Sequence, residues 1–194
     1  MDLYFNVLGG KKMKKFFIVL ITLSIIGLGI YVLINVKERE VYLSDLTPNY
    51  SEVGYYDVGF NQDYDNNKLS INVNGTEQEC EKGLFVHAHS TLVFDGLKKY
   101  NPKMFSVYIG VNKTARNNGN TSVKFLIYFD QELVYESAEM NGDSEAVLVE
   151  LEMSKVNRIT LVVDDLNGNA NDHAVWALPL LMYKGGKELK WKSL

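Results

Sequence analysis

The chain has a single cysteine, Cys80, in 194 residues. No internal disulfide can form, so a domain sent to an oxidising compartment must hold together through its core. Prolines are scarce, at three. After Lys37 the chain has no long stretch of 3.6-residue apolar periodicity, which excludes a helical bundle or a coiled coil. It also has no Gly-x-Ser-x-Gly, no His-Glu-x-x-His and no phosphate-binding loop. The hydrolase and nucleotide chemistries that depend on those motifs are therefore excluded.

Charge is absent altogether from Phe16 to Val36, "FFIVLITLSIIGLGIYVLINV". Such a run is long enough for a helix across the roughly 30 Å hydrocarbon core of a bilayer. Lys11, Lys12, Lys14 and Lys15 precede it, whereas "KERE" after it is balanced. The positive-inside rule then places residues 1–15 in the cytoplasm and everything after Lys37 outside. A cleaved secretory signal starting at Met13 is the competing reading. The run exceeds an ordinary signal core and lacks an A-x-A-like site, which favours an uncleaved anchor. Under either reading residues 37–184 form an exported domain, at the cell membrane or secreted, with 185–194 as a short basic tail. Setting aside residues 1–36, with four lysines and one aspartate, leaves 16 basic and 23 acidic residues, a net charge of −7. That balance argues against nucleic acid and anionic lipid surfaces as partners.

The exported part reads as strands. "LSINVNG", "TLVFDG", "MFSVYIGV", "SVKFLIYFD", "ELVYES", "AVLVELEM", "NRITLVVDD" and "AVWALPLLMY" are short β-rich runs, several alternating apolar and polar residues, bounded by Gly, Asn, Asp or Pro. Many short strands without a repeat unit predict an all-β fold, an antiparallel β-sandwich or jelly roll. "FLIYF" and "ELVYE" flank Asp130 and Gln131 and predict a tight hairpin.

Three polar constellations stand out. His87 and His89, two apart on a predicted strand, would share a face. A metal-binding cupin uses such a pair but adds a glutamate a few residues later, where this chain has "STLVF". Hydrogen bonding at a strand end explains these histidines better than metal ligation. Asp165, Asn167, Asn169 and Asn171 are spaced by two like a calcium loop, but Ala170 and Trp176 stand where an EF-hand needs glycine and glutamate. An irregular calcium site including Asp165 and Asn167 is the remaining metal expectation. Finally, Asn171, Asp172, His173 and Trp176 combine an indole with polar groups, the mixture that a sugar's C–H patches and hydroxyls require. Ordinary core packing of Trp176 in "AVWALPLL" competes with that reading.

A wider pattern then connects these stretches. "YLSDLTP", "GYYDV", "KGLFVHAHS", "YIGV", "LVYESAEMNG", "ITLVVDD" and "DHAVWALPLL" occur in an order that resembles the NPCBM family of carbohydrate-binding modules, over about Tyr42 to Met182. The resemblance implies a galactose-binding-like β-sandwich of the kind attached to exported glycoside hydrolases, with some members binding terminal galactose-type sugars. It implies site residues His87, Ser90, Asp172, His173 and Trp176, and loops around Tyr55, His87 and Trp176 converging at one end of the sandwich. The chain departs from the family where "GVNKT" replaces "GVDDE" and where Val175 replaces an aspartate.

The expected function is a membrane-tethered, extracellular, non-catalytic module that binds glycans. The alternative is a structural or interaction domain that has lost the sugar and contacts a surface protein partner. An enzyme is the least supported class, since a glycosidase needs two facing carboxylates across a cleft.

Overall fold

The computed structural model describes residues 40–115, 120–166, 168 and 171–182. The basic segment 1–15, the apolar run 16–36, the tail 185–194 and Asn167 lie outside the described residues. Among the described residues no helix is long and apolar enough to cross a membrane.

Among the described residues thirteen strands form two facing antiparallel sheets and a small hairpin. The first sheet has the order β11 (Val147–Glu152), β8 (Met104–Val111), β13 (His173–Met182), β6 (Gly83–His87), β3 (Gly59–Phe60), with β1 (Glu40–Tyr42) on β13. The second has the order β10 (Glu132–Glu136), β9 (Val123–Phe129), β12 (Ile159–Asp165), β7 (Ser90–Phe94), β2 (Tyr50–Val53). β4 (Leu69–Val73) and β5 (Thr76–Cys80) pair only with each other. Every longer run predicted as a strand is one. Sequence reading missed the short strands β1, β2, β3 and β5, where few alternating positions give periodicity little to act on.

β9 shows why alternation works as a signal. Val123, Phe125, Ile127 and Phe129 face the core while the residues between them are partly exposed. The predicted hairpin closes there, pairing Phe129 with Glu132. Asp130 takes the left-handed conformation, φ 55°, that such a tight turn demands. Its Oδ1 accepts the backbone N–H groups of Asn157 and Arg158 at 3.1 and 3.0 Å, tying the turn to the strand beside it.

β13 does not alternate because both its faces are covered. Ala174 and Trp176 enter the main core between the sheets, while Val175 and Ala177 pack with Leu69, Ile71, Cys80 and Phe85 in a second cluster beneath the β4–β5 hairpin. Pro179 is tolerated in this central strand because the register with β8 shifts between Ala177 and Leu180, with Leu178 at φ 52°.

Candidate functional site

A recess of about 390 Å³ opens where β6 and β13 end, lined by Tyr55, Tyr56, Tyr64, His87, Thr114, Asn171 and His173. Its floor is a register pair: His173, the first residue of β13, lies opposite His87, the last residue of β6, and the ring centroids are 5.2 Å apart. Backbone pairing thus brings together two histidines that are 86 positions apart in sequence.

The tyrosines arrive on two loops, each held by a specific device. Gly54 donates its N–H to the His87 carbonyl at 3.3 Å and lies so close to the Ala88 carbonyl that any Cβ there would overlap it. Only glycine lets the chain press this near before Tyr55 and Tyr56. Buried Asp63 organises the second loop: its Oδ1 accepts N–H groups from Asp65 and Asn67, both at 2.9 Å. That turn presents Tyr64, which stacks on Tyr56 at 4.3 Å with the planes 6° apart. Tyr55 and Tyr56 remain 61% and 45% exposed, so aromatic surface faces solvent at the mouth.

The hydrogen-bond network defines the polar groups. His87 Nδ1 lies 2.8 Å from the Ala88 carbonyl, and His173 Nδ1 lies 2.7 Å from Thr114 Oγ1. Burial, reinforced by neighbouring His87 and only partly opposed by Asp63, lowers the His173 pKa to about 4. His173 is therefore neutral at physiological pH.

Asn171, His87 and His173 line the recess, but the other residues expected at the site do not. Trp176 is fully buried and meets Phe125 edge to face, centroids 4.9 Å apart. The expectation that it offers a face to a ligand is corrected: core packing claims both sides of the ring. Asp172 is also fully buried, its Oδ1 accepting the Ser122 N–H at 3.0 Å while its own carbonyl accepts the Ala88 N–H at 3.1 Å. Burial raises its pKa, against the opposing pulls of the Ser122 N–H and His87. It braces the β6 end from behind. Ser90 is buried in β7, paired with Val53 and Val163.

His89 does not share a face with His87, because β6 stops at His87. It is exposed and meets Asp164, Nδ1 to Oδ1 3.2 Å. His89, Asp164 and Asp165 bring ligand atoms within 4.8 Å of one another. The metal expectation at Asp165 thus acquires Asp164 and His89 as neighbours. Val175, one of the departures, lies in the second core cluster and not in the recess. Lys113, another, pairs with Glu77 at 3.6 Å.

Sequence reading did not single out Tyr56, Tyr64 or Thr114. Tyr56 sits in the quoted "GYYDV", the one signal that could have found it. Tyr64 and Thr114 reach the recess only through the loops that fold over it.

The arrangement offers aromatic faces, two imidazoles, an amide and hydroxyls, and the seven lining side chains include no carboxylate. That suits binding of a neutral polyhydroxylated ligand better than acid–base cleavage.

Known structures share this frame. The CBM51 module of Clostridium perfringens GH95, solved with methyl-galactose, is 28% identical with a TM-score of 0.69, covering 74% of this chain and 99% of that one. The CBM51-2 and INT domains of Clostridium perfringens ZmpB, solved with GlcNAc, are 27% identical with a TM-score of 0.70, covering 74% of this chain and 31% of that one. The tandem CBM51 modules of the family 98 glycoside hydrolase Sp3GH98 from Streptococcus pneumoniae are 26% identical with a TM-score of 0.67, covering 74% and 46%. Among curated proteins nothing matches. The family model of the NPCBM/NEW2 domain matches residues 39–182, and the chain belongs to that family of carbohydrate-binding modules.

Proposed function

We propose that the protein is a non-catalytic lectin-like module that holds terminal, neutral, galactose-type sugars in the Tyr55–His87–His173 recess. The carrying observation is the recess itself, with tyrosine faces at its mouth and paired imidazoles at its floor. Sugars bind between such groups because their C–H patches stack on aromatic faces while their hydroxyls take directional hydrogen bonds. Similar modules solved with methyl-galactose and with GlcNAc support the ligand class. The uncharged run Phe16–Val36 tethers the module to the membrane, and the lysines before it leave the sandwich on the outer surface. The glycans held there belong to the cell's surroundings or its own envelope.

The test is a glycan array probed with the full chain, with and without calcium, followed by calorimetry on each hit. Binding to glycans with a terminal galactose-type sugar, reduced by Tyr56→Ala, is the expected result. A folded chain that binds no glycan in either condition would overturn the proposal and leave the protein-contact alternative.

A further inference from the structure

The floor of the recess is polarised by a relay that starts in the backbone of another strand. The Ser70 N–H of β4 donates to Asn112 Oδ1 at 3.1 Å, which orients the buried amide. Asn112 Nδ2 then donates to Thr114 Oγ1 at 2.8 Å. Asn112 takes one of the two Oγ1 lone pairs, and His173 Nδ1 lies 2.7 Å away, within reach of the Thr114 hydroxyl proton. A Thr114 hydroxyl that donates to His173 leaves Nδ1 unprotonated and the neutral ring's proton on Nε2. The opposite holds at His87. Its Nδ1 faces the Ala88 carbonyl at 2.8 Å, a group that can only accept, so Nδ1 carries a proton and, in the singly protonated ring, Nε2 is the acceptor.

We infer that Asn112 and Thr114 are positioning residues that lock His173 as a donor beside His87 as an acceptor, and that this opposed pair takes one unsubstituted hydroxyl of the bound sugar. The inference rests on the carbohydrate reading above. Among the oxygen groups of a sugar, a free hydroxyl is the one that can accept from one imidazole and donate to the other through a single atom. Two hydrogen bonds of about 2.8 Å meeting at a tetrahedral oxygen span about 4.5 Å, which suits rings whose centroids are 5.2 Å apart. An O-methyl or O-acetyl group at that position would leave His87 Nε2 without a donor, a costly loss at a ring that is 5% exposed. A carboxylate would fail in the same way. The relay is built from two residues of the "GVNKT" departure. A carboxylate in place of Thr114 would accept from Nδ1–H and reverse the polarity of His173.

The test uses the full chain with its three histidines labelled with 15N. Long-range 1H–15N correlation spectra at neutral pH report which nitrogen of each ring is protonated, independently of any sugar. The expected result is Nε2–H for His173 and Nδ1–H for His87. Thr114→Val should mix the His173 tautomers and weaken methyl-galactoside binding about tenfold, while Thr114→Ser restores both. An Nδ1–H tautomer at His173, or a Thr114→Val chain with tautomer and affinity unchanged, would overturn the inference. Assigned tautomers in a chain that binds neither methyl-galactoside nor GlcNAc would uphold the relay and overturn the carbohydrate reading on its own.

Discussion

Trp176 and Phe125 meet edge to face across the sandwich, ring centroids 4.9 Å apart and planes at 87°. One belongs to the middle of β13 and the other to β9, so the contact joins the two sheets. The indole of "DHAVWALPLL" therefore serves the fold rather than the ligand. Trp176→Ala should cost about 3–5 kcal/mol of stability, read as a lowered urea midpoint, with Trp176→Phe recovering part of it. An unchanged midpoint would show that the ring is not core.

Val175 occupies the position where the family pattern has an acid, and it is fully buried with Leu69, Ile71 and Phe85. Val175→Asp should destabilise the chain by about 3 kcal/mol or more, because it would put a carboxylate among the buried, apolar side chains described in that cluster. Thermal unfolding followed by circular dichroism measures it.

Tyr56, by contrast, is 45% exposed at the mouth of the recess. Replacing it with alanine should weaken methyl-galactoside binding about tenfold and cost about 1 kcal/mol of stability or less. Calorimetry and a melting curve on the same sample separate the two effects. Equal affinity for variant and parent would remove Tyr56 from the site.

His173 gains its proton at about 4 in the fold, against 6.5 for the ordinary side chain. Between those values the unfolded chain binds the extra proton, so the folded state loses ground as pH falls from about 6.5 towards 4. Asp172, whose pKa is raised by burial, acts in the opposite sense, losing stability as pH rises through its shifted range. His173→Gln should remove the first slope and leave the second, which urea unfolding at a series of pH values will show. Sugar affinity should fall as His173 protonates near 4.

Cys80 is 4% exposed, and burial pushes its thiol up to about 12. It should resist a chromogenic disulfide reagent at about pH 8 in the folded chain and react as soon as denaturant is added. Prompt labelling of the native protein would mean that the β4–β5 hairpin opens.

Much of the architecture was legible in the sequence. Val123, Phe125, Ile127 and Phe129 announce a strand with one buried face because a pleated backbone has a period of two. Asp130 marks a turn because its side chain tolerates a positive φ. His87 and His173, which line the recess, stand in the quoted signatures at the end of β6 and the start of β13.

The rest needed the tertiary structure. Whether Trp176 faced a ligand or the core depended on which side of β13 met the second sheet, and a strand covered on both faces shows no alternation to reveal it. Tyr56 follows Gly54, pressed against the distant Ala88, Tyr64 sits in the turn that Asp63 organises, and Thr114 meets His173 only across the fold. Composition and periodicity by themselves determined an all-β domain and its longer strands, since those follow from local backbone geometry. The polarity of the recess was decided only by folding, because Ser70, Asn112, Thr114 and His173 become one hydrogen-bonded chain when β4, β8 and β13 come together.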